Sequence, residues 1–235
     1  MNLGHRANPV QHRSKPDWPI IVPLILLSLV PMLAGTARLV GLASGATITP
    51  ENARFYATPL PVVVHILSAT PFCILGVFQF APGFRRRRPT LHRRMGRWLM
   101  VAGVAAGLSG LYMTLFYPLS PQLQGPVLLG FRLFVGLGMV VSIVLAWRAI
   151  RERDIAQHRA WMMRAYALGQ GAGTQVIVFL PWTLLLGKPE ALTRDLLMSL
   201  AWVINIVVAE WIISKQAAKS ATVRSEQLDT NHAQI

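Results

Sequence analysis

Long apolar stretches alternate with short polar or basic stretches along this chain. Six of the apolar stretches have about 20 residues or slightly more, the length that an α-helix needs to cross roughly 30 Å of hydrocarbon. None has the apolar–polar alternation of a barrel strand. Their limits in the sequence are residues 20–42, 60–81, 98–118, 126–147, 160–186 and 192–213. The pattern predicts an all-α integral membrane bundle of six transmembrane helices.

The composition supports a membrane protein. The chain is 53% hydrophobic and only 14% charged, whereas soluble domains carry about 25% charged residues. The first apolar stretch is longer than the core of a signal peptide, so we expect it to be retained. We therefore expect three parts: a basic N-terminal arm (1–17), a six-helix membrane domain (18–213) and a disordered polar tail (214–235).

Lysine and arginine are distributed unevenly between the connections of the predicted helices. Of the 23 basic residues, 18 fall in the N-terminal arm, in residues 85–97, in and just after the fourth connection, and in the tail. Six crossings place all four regions on one side, and such an excess marks the cytoplasmic side. We expect both termini to be cytoplasmic, in a multi-pass protein of a bacterial cytoplasmic (inner) membrane.

The most basic stretch is RRRRPTLHRRMGRW, residues 85–98, which contains seven arginines. Its place between two apolar stretches favours a role in membrane orientation over nucleic-acid binding, so no nucleic-acid partner is expected. We expect residues 85–97 to contact anionic lipid head groups, at about 1 kcal/mol for each basic residue near the surface.

Charged side chains inside the predicted spans are candidates for function, because a charge in hydrocarbon is costly. Glu210 is the only acid well inside a span, apart from Asp195 near the opposite end of the same segment. Arg164 falls at a similar depth on the preceding segment. We predict an Arg164–Glu210 ion pair, because either charge alone would be heavily penalised. Both a structural pair and a proton or ion relay fit this pattern.

Three histidines are also candidates for a functional role. His65 lies well inside the second segment and suits a hydrogen-bonded structural ring, a haem or metal ligand, or a proton-transfer group. His92 and His158 each begin a segment on the basic side, so they could ligate one iron together but not with His65. Head-group binding is the alternative for this pair. The sequence has no cysteine pair, carboxylate cluster or haem-attachment motif, and no metal site is predicted.

Glycines recur within the predicted helices. Gly103 and Gly107 have the small-xxx-small spacing that lets helices approach closely in lipid, as do Gly169 and Gly173. The spacing predicts close helix packing and is compatible with a homo-oligomer.

Three stretches carry a resemblance to a known family. They are HILSATPFCILGVFQF (65–80), LHRRMGRW (91–98) and RAIRERDIAQHRAWMMRAY (148–166). Together, within residues 60–182, they resemble the bacterial membrane proteins catalogued as domain of unknown function 2306. The resemblance implies a membrane architecture and no established reaction. An arginine that it would place near 174–175 is replaced here by Thr174 and Gln175. The implied motif positions are His65, Gln79, His92, Arg93, Gly96, Arg97, Asp154, His158, Trp161, Met162, Arg164 and Tyr166.

These observations define a set of candidate functional residues. They are His65, Gln79, His92, Arg93, Arg97, Asp154, His158, Arg164, Tyr166 and Glu210. One hypothesis is a non-enzymatic small transporter, sensor or membrane assembly factor. The other is a b-type haem redox protein that uses His65 or the His92/His158 pair. A non-enzymatic role is favoured, and no catalytic residue or substrate is assigned.

Overall fold

The computed structural model describes residues 16–119 and 123–232, which contain nine α-helices and no β-strand. The helices are α1 (Trp18–Ser44), α2 (Ala53–Ala57), α3 (Pro59–Phe80), α4 (Pro82–Arg87), α5 (Pro89–Phe116), α6 (Pro126–Arg151), α7 (Ile155–Gly169), α8 (Gly171–Leu186) and α9 (Ala191–His232). Within these ranges five helices, α1, α3, α5, α6 and α9, are long and apolar enough to cross a membrane. α7 and α8 follow one another along the fifth predicted segment, and α8 is apolar but shorter than these five. The predicted all-α membrane bundle is confirmed.

Contacts between distant helix ends fix the direction of the passes. Tyr117, after α5, donates to the carbonyl of Thr58, before α3, at 2.6 Å. Asp17, before α1, accepts from the amide of Gly83, just after α3, at 2.9 Å. Neighbouring passes therefore run in opposite directions, as short connections require.

One end of the bundle collects the basic connections. Burial lowers the pKa of the Arg85 guanidinium, and so do the nearby positive charges of Arg159 and Arg86. We call this end the basic end; it comprises α4, the first turns of α5 and α7, and the last turn of α6. The orientation of the basic end in a cell stays a prediction.

Proline and glycine explain several helix limits. Proline occupies the first turn of α1, α3, α4, α5 and α6, where its missing N–H leaves no backbone carbonyl unpaired. Gly45 ends α1 with φ 67°, a left-handed conformation in which glycine has no Cβ penalty. Pro89 starts α5 nine residues before the predicted limit at residue 98. The stretch expected to be a basic connection is therefore mostly helical, formed by α4 and the start of α5.

The fifth predicted segment, 160–186, is interrupted at Gln170. The carbonyl of Ala167 accepts from Asn205 Nδ2 at 3.0 Å, and the carbonyl of Gly169 from Cys73 Sγ at 3.5 Å. A helix break inside a membrane is tolerated where neighbouring side chains bond the freed backbone groups. The prediction of one uninterrupted helix over 160–186 was wrong, because the glycines around residue 170 weaken the helix there.

The end of α9 also differs from the sequence prediction. Residues 214–232 continue the helix, mostly exposed where their side chains are described, although a disordered tail was expected. Alanine, lysine, glutamine and glutamate in this stretch favour helix. The division into arm, membrane domain and tail stays a prediction, and residues 1–15 and 233–235 lie outside the described ranges.

The core lies between α3, α5, α6 and α7, around Phe72, Ile143 and Tyr166. A Cβ on Gly103 would come within 2.6 Å of both Phe72 and Ile143. Glycine there lets α5 approach α3 and α6 closely, as its spacing predicts. Because this close contact is within one chain, the homo-oligomer stays a prediction. Large apolar side chains cover the outside of the bundle, as contact with lipid requires.

Candidate functional site

A partly open cavity of about 460 Å³ extends from the middle of the bundle towards the end opposite the basic end. Residues from α1, α2, α3, α5, α6, α7, α8 and α9 form its wall, which is mostly apolar. This volume falls in the range of small-molecule sites. Its polar lining residues include Arg54, His65, Arg132, Gln170 and Gln175.

His65 on α3 contributes an imidazole to the cavity wall. Its Nδ1 lies 3.0 Å from the carbonyl of Ala106 on α5 and 3.2 Å from Ser109 Oγ. A carbonyl only accepts, so this contact assigns the proton to Nδ1 and leaves the lone pair on Nε2. The structural interpretation of His65 thus accounts for one ring nitrogen, while the other remains usable by a ligand.

Arg132 on α6 contributes a partly buried guanidinium to the cavity wall. It donates to Gln124 Oε1 at 2.5 Å. No carboxylate in the described ranges forms an ion pair with its guanidinium. Asp195 lies nearby, but its oxygens accept from the amides of Gly125 at 3.3 Å and Leu128 at 3.2 Å. Among the described residues, Gln124 is the one hydrogen-bond partner of Arg132, so most of its N–H groups remain for a ligand.

Two further arginines add positive charge beside the cavity. Arg38 and Arg54 lie over the ring of Phe55, at 4.4 and 4.5 Å from its centre. Burial lowers the pKa of Arg54, and so does the positive charge of Arg38. Arg54 and Phe55 both line the cavity. This end of the cavity therefore has a field that favours an anion.

The floor of the cavity is a hydrogen-bonded network at the break between α7 and α8. Gln170 Nε2 donates to Ser28 Oγ at 2.9 Å and to Tyr166 Oη at 2.6 Å. Tyr166 in turn donates to the carbonyl of Cys73 at 2.6 Å. Such a connected network holds the floor in one arrangement. Tyr166 was a predicted motif position, whereas Gln170 was not among the candidates.

The structure gathers three predicted residues, Gln79, His92 and His158, at the basic end. His158 Nδ1 donates to the carbonyl of Ala146 at 2.9 Å. His92 lies within electrostatic range of His158. Gln79 Oε1 would be 3.1 Å from a Cβ on Gly96, so Gln79 packs against the α5 face that follows His92. As predicted, His65 is remote from this pair.

Other predicted residues do not join this group. Arg93 and Arg97 are exposed on α5. Asp154 caps α7 by accepting from the Gln157 amide at 2.9 Å, a helix-end role. Across the described parts of the chain, no group of three or more His, Cys, Asp or Glu side chains could hold a metal ion.

Arg164 and Glu210 form the predicted ion pair between α7 and α9. Arg164 Nε lies 2.6 Å from Glu210 Oε1, and Nη2 lies 2.9 Å from Oε2. The guanidinium also lies 4.5 Å from the ring of Trp161. The pair is partly exposed rather than buried, since 25% of the Arg164 side chain and 43% of the Glu210 side chain are accessible.

A family model described as predicted membrane protein, domain of unknown function 2306, matches residues 62–213, more than half of the chain. The chain belongs to this family. The match contains every candidate residue from His65 to Glu210, and it confirms the resemblance seen in the sequence. No curated protein and no solved structure matches the chain. Membership establishes a membrane protein of unknown function and assigns no activity.

Sequence reasoning left Arg132 and Gln170, which both line the cavity, out of the final candidate residues although both are polar groups within predicted spans. Arg132 offered a signal, because it is a charge seven residues into an apolar stretch. Gln170 offered a weaker one, a polar residue between two glycines at mid-span. Neither signal shows that the side chains reach the same cavity, which depends on how the helices are rotated.

Proposed function

We propose that this protein binds a small amphipathic anion in the cavity, as a carrier or receptor of the membrane without a chemical step. The placement of Arg132 supports this proposal most strongly. A guanidinium set within an apolar wall, with no ion-pair partner among the described residues, is costly unless a ligand supplies the negative charge.

The remaining walls fit the rest of such a ligand. Apolar residues such as Phe72 and Met139 suit a hydrocarbon or aromatic body. His65 Nε2 can accept a hydrogen bond from a donor group on the ligand body, and Arg54 strengthens the positive field that favours its anionic group. A few polar groups in a mostly apolar cavity are typical of small-molecule sites.

The helix break favours a carrier over a rigid receptor. Discontinuous helices beside a mid-membrane cavity are characteristic of transporters, whose two helix halves move or present backbone groups to the substrate. Gln170, at the break between α7 and α8, lines the cavity directly. A movement of α8 against α7 would therefore change the cavity floor.

Binding of laurate, with dodecanol as its uncharged analogue, tests the proposal. The full chain in nanodiscs of neutral lipid is expected to bind laurate saturably, and about tenfold or more tightly than dodecanol, because only laurate pairs with Arg132. Arg132→Gln should remove this preference and Arg132→Lys should keep part of it. Lys188→Gln, an exposed charge at the same end, is the matched control. Equal binding of both probes, or no saturable binding, would refute the proposal.

A haem protein is the second candidate, on one observation. The Nδ1–H of His158 is held by the Ala146 carbonyl at 2.9 Å, which leaves Nε2 free in the manner of metal-ligating histidines. His92, which lies within electrostatic range of His158, would be the second ligand. Protein produced with ample haem should then show a Soret band that His158→Ala abolishes. Colourless protein would exclude this function.

We also propose that the basic end faces the cytoplasm of a bacterial cell, with both termini there. The excess of lysine and arginine at this end supports the orientation. A reporter fused after Ile235 should be active in the cytoplasm, and activity on the other side would refute it.

A further inference from the structure

Three basic side chains turn inward at the basic end, unlike their neighbours in sequence. Arg85 on α4 is half-buried, whereas Arg86 and Arg87 are exposed. His92 on α5 and His158 on α7 are also half-buried. These residues come from three separate helices, so the tertiary fold and not the local sequence brings their positive or protonatable groups together.

The position of Arg85 is fixed by its helix. Asp17 accepts from the amides of Gly83 at 2.9 Å and Phe84 at 3.0 Å, which caps the start of α4. The ring of Phe84 also packs on Phe78 of α3, with ring centres 5.9 Å apart. α4 is therefore anchored to both α1 and α3, and it places Arg85 within electrostatic range of His92.

The acids near this cluster are already engaged. Asp17 bonds the amides of α4. Asp154 bonds the amide of Gln157, and Glu152 pairs with Arg148 at 2.8 Å. In the described part of the chain, none of these carboxylates forms an ion pair with Arg85. The inward cluster consequently carries positive charge that no carboxylate in the described ranges neutralises through an ion pair.

Two buried polar atoms in the same place also lack a partner. They are Gln79 Nε2 and His92 Nδ1, which make no hydrogen bond within the described residues. Buried polar groups are nearly always hydrogen-bonded. Gln79 packs beside Gly96, one helical turn after His92 on α5, so the two unpartnered atoms point to a missing acceptor at this end of the bundle. An acceptor with several oxygens would satisfy both and neutralise the charge of Arg85.

We propose that Arg85, Gln79 and His92 form a binding site for a phosphate group, with Arg159 at its rim. Arginine binds phosphate through paired N–H groups, and the Gln79 amide and a ring N–H of His92 supply further donors. The end of a membrane bundle is where the phosphate of a lipid head group lies, and free phosphate offers the same chemistry. The site is independent of the cavity at the opposite end.

The test uses delipidated full-length protein in a neutral detergent. Three probes are titrated: short-chain phosphatidylglycerol, inorganic phosphate, and diacylglycerol of the same chain length. Phosphatidylglycerol should bind saturably and diacylglycerol should not. Arg85→Gln should weaken phosphatidylglycerol binding by about tenfold or more, because it removes charged hydrogen bonds. Arg87→Gln, the same charge change on the same helix, should weaken it less than about twofold.

A second variant separates binding from folding. Gln79→Leu keeps the charge and removes an unpartnered amide, so it should weaken phosphatidylglycerol binding without lowering the unfolding temperature of ligand-free protein. Comparable binding of inorganic phosphate, with the same dependence on Arg85, would support the site and identify soluble phosphate as its ligand.

Four results would overturn the proposal. One is the absence of saturable binding by either phosphate probe. Another is an equal effect of Arg85→Gln and Arg87→Gln, which would indicate diffuse attraction. The third is a Gln79→Leu variant that is less stable but binds normally. The last is a Soret band that disappears in His158→Ala, which would assign the histidine rings to iron.

Discussion

The Arg164–Glu210 pair allows a quantitative test of how strongly α7 and α9 are coupled. The perturbation is a double-mutant cycle in which each residue is replaced by alanine, singly and together. Two short contacts, 2.6 and 2.9 Å, join the side chains in a bidentate arrangement. The cycle isolates the energy of this interaction from the other effects of each replacement.

The expected magnitude follows from geometry and exposure. Exposed ion pairs contribute about 0.2–1 kcal/mol, and hydrogen bonds to charged groups about 1.5–3 kcal/mol. Arg164 is 25% accessible and Glu210 is 43% accessible, so solvent screens part of the attraction. We therefore expect a coupling energy of about 1–2 kcal/mol, above the range of a surface pair and below that of a desolvated one.

The assay is the free energy of unfolding in mixed detergent micelles, measured for the four proteins of the cycle. Arg148 and Glu152 provide an internal control, because they form an ion pair of the same residue types at 74% and 58% exposure. Because solvent screens this exposed pair strongly, its coupling should be no larger than that of an ordinary surface ion pair. A coupling energy between Arg164 and Glu210 no larger than that of the control would refute the reasoning.

Two other stability predictions use the same measurement. Asp195 is 1% exposed and accepts from two amides at the start of α6. Asp195→Ala should therefore lower the free energy of unfolding by about 2–3 kcal/mol, and Asp195→Asn by about half as much. Unchanged stability of Asp195→Ala would contradict the capping role of Asp195. A Cβ at Gly171 would overlap the indole of Trp202, so Gly171→Ala should destabilise by about 1–3 kcal/mol. Gly130→Ala, in open space, should be neutral or stabilising, and equal effects at both glycines would contradict close packing at Gly171.

The sequence predicted the bundle because each long apolar stretch requires a helix in hydrocarbon, where every backbone group must be bonded internally. It did not predict the interruption at Gln170, because the bonds that tolerate it come from Asn205 and Cys73 on other helices. The proline at the start of α5 was a usable signal for a helix that begins at residue 89, since proline favours the first turn.

Charged residues were predictable only where both partners are side chains. The Arg164–Glu210 pair followed from two opposite charges at one depth. Asp17 and Asp195 gave no such signal, since their partners are backbone amides 66 to 70 residues away. The cavity was beyond sequence reasoning for a related reason. His65, Arg132 and Gln170 converge from three passes, and the apolar pattern does not fix the rotation of each helix about its axis.

Asp17 and Asp195 can form their hydrogen bonds at different stages of protein synthesis. Asp17 is synthesised before the amides of Gly83 and Phe84, so its bonds can form as soon as the first two passes have been made. Asp195 is synthesised after the amides that it caps, so the start of α6 can be capped only after α9 has been made. In a nascent chain halted after α8, Asp17 could already bond the amides of α4, whereas the first amides of α6 would still lack Asp195 as their acceptor.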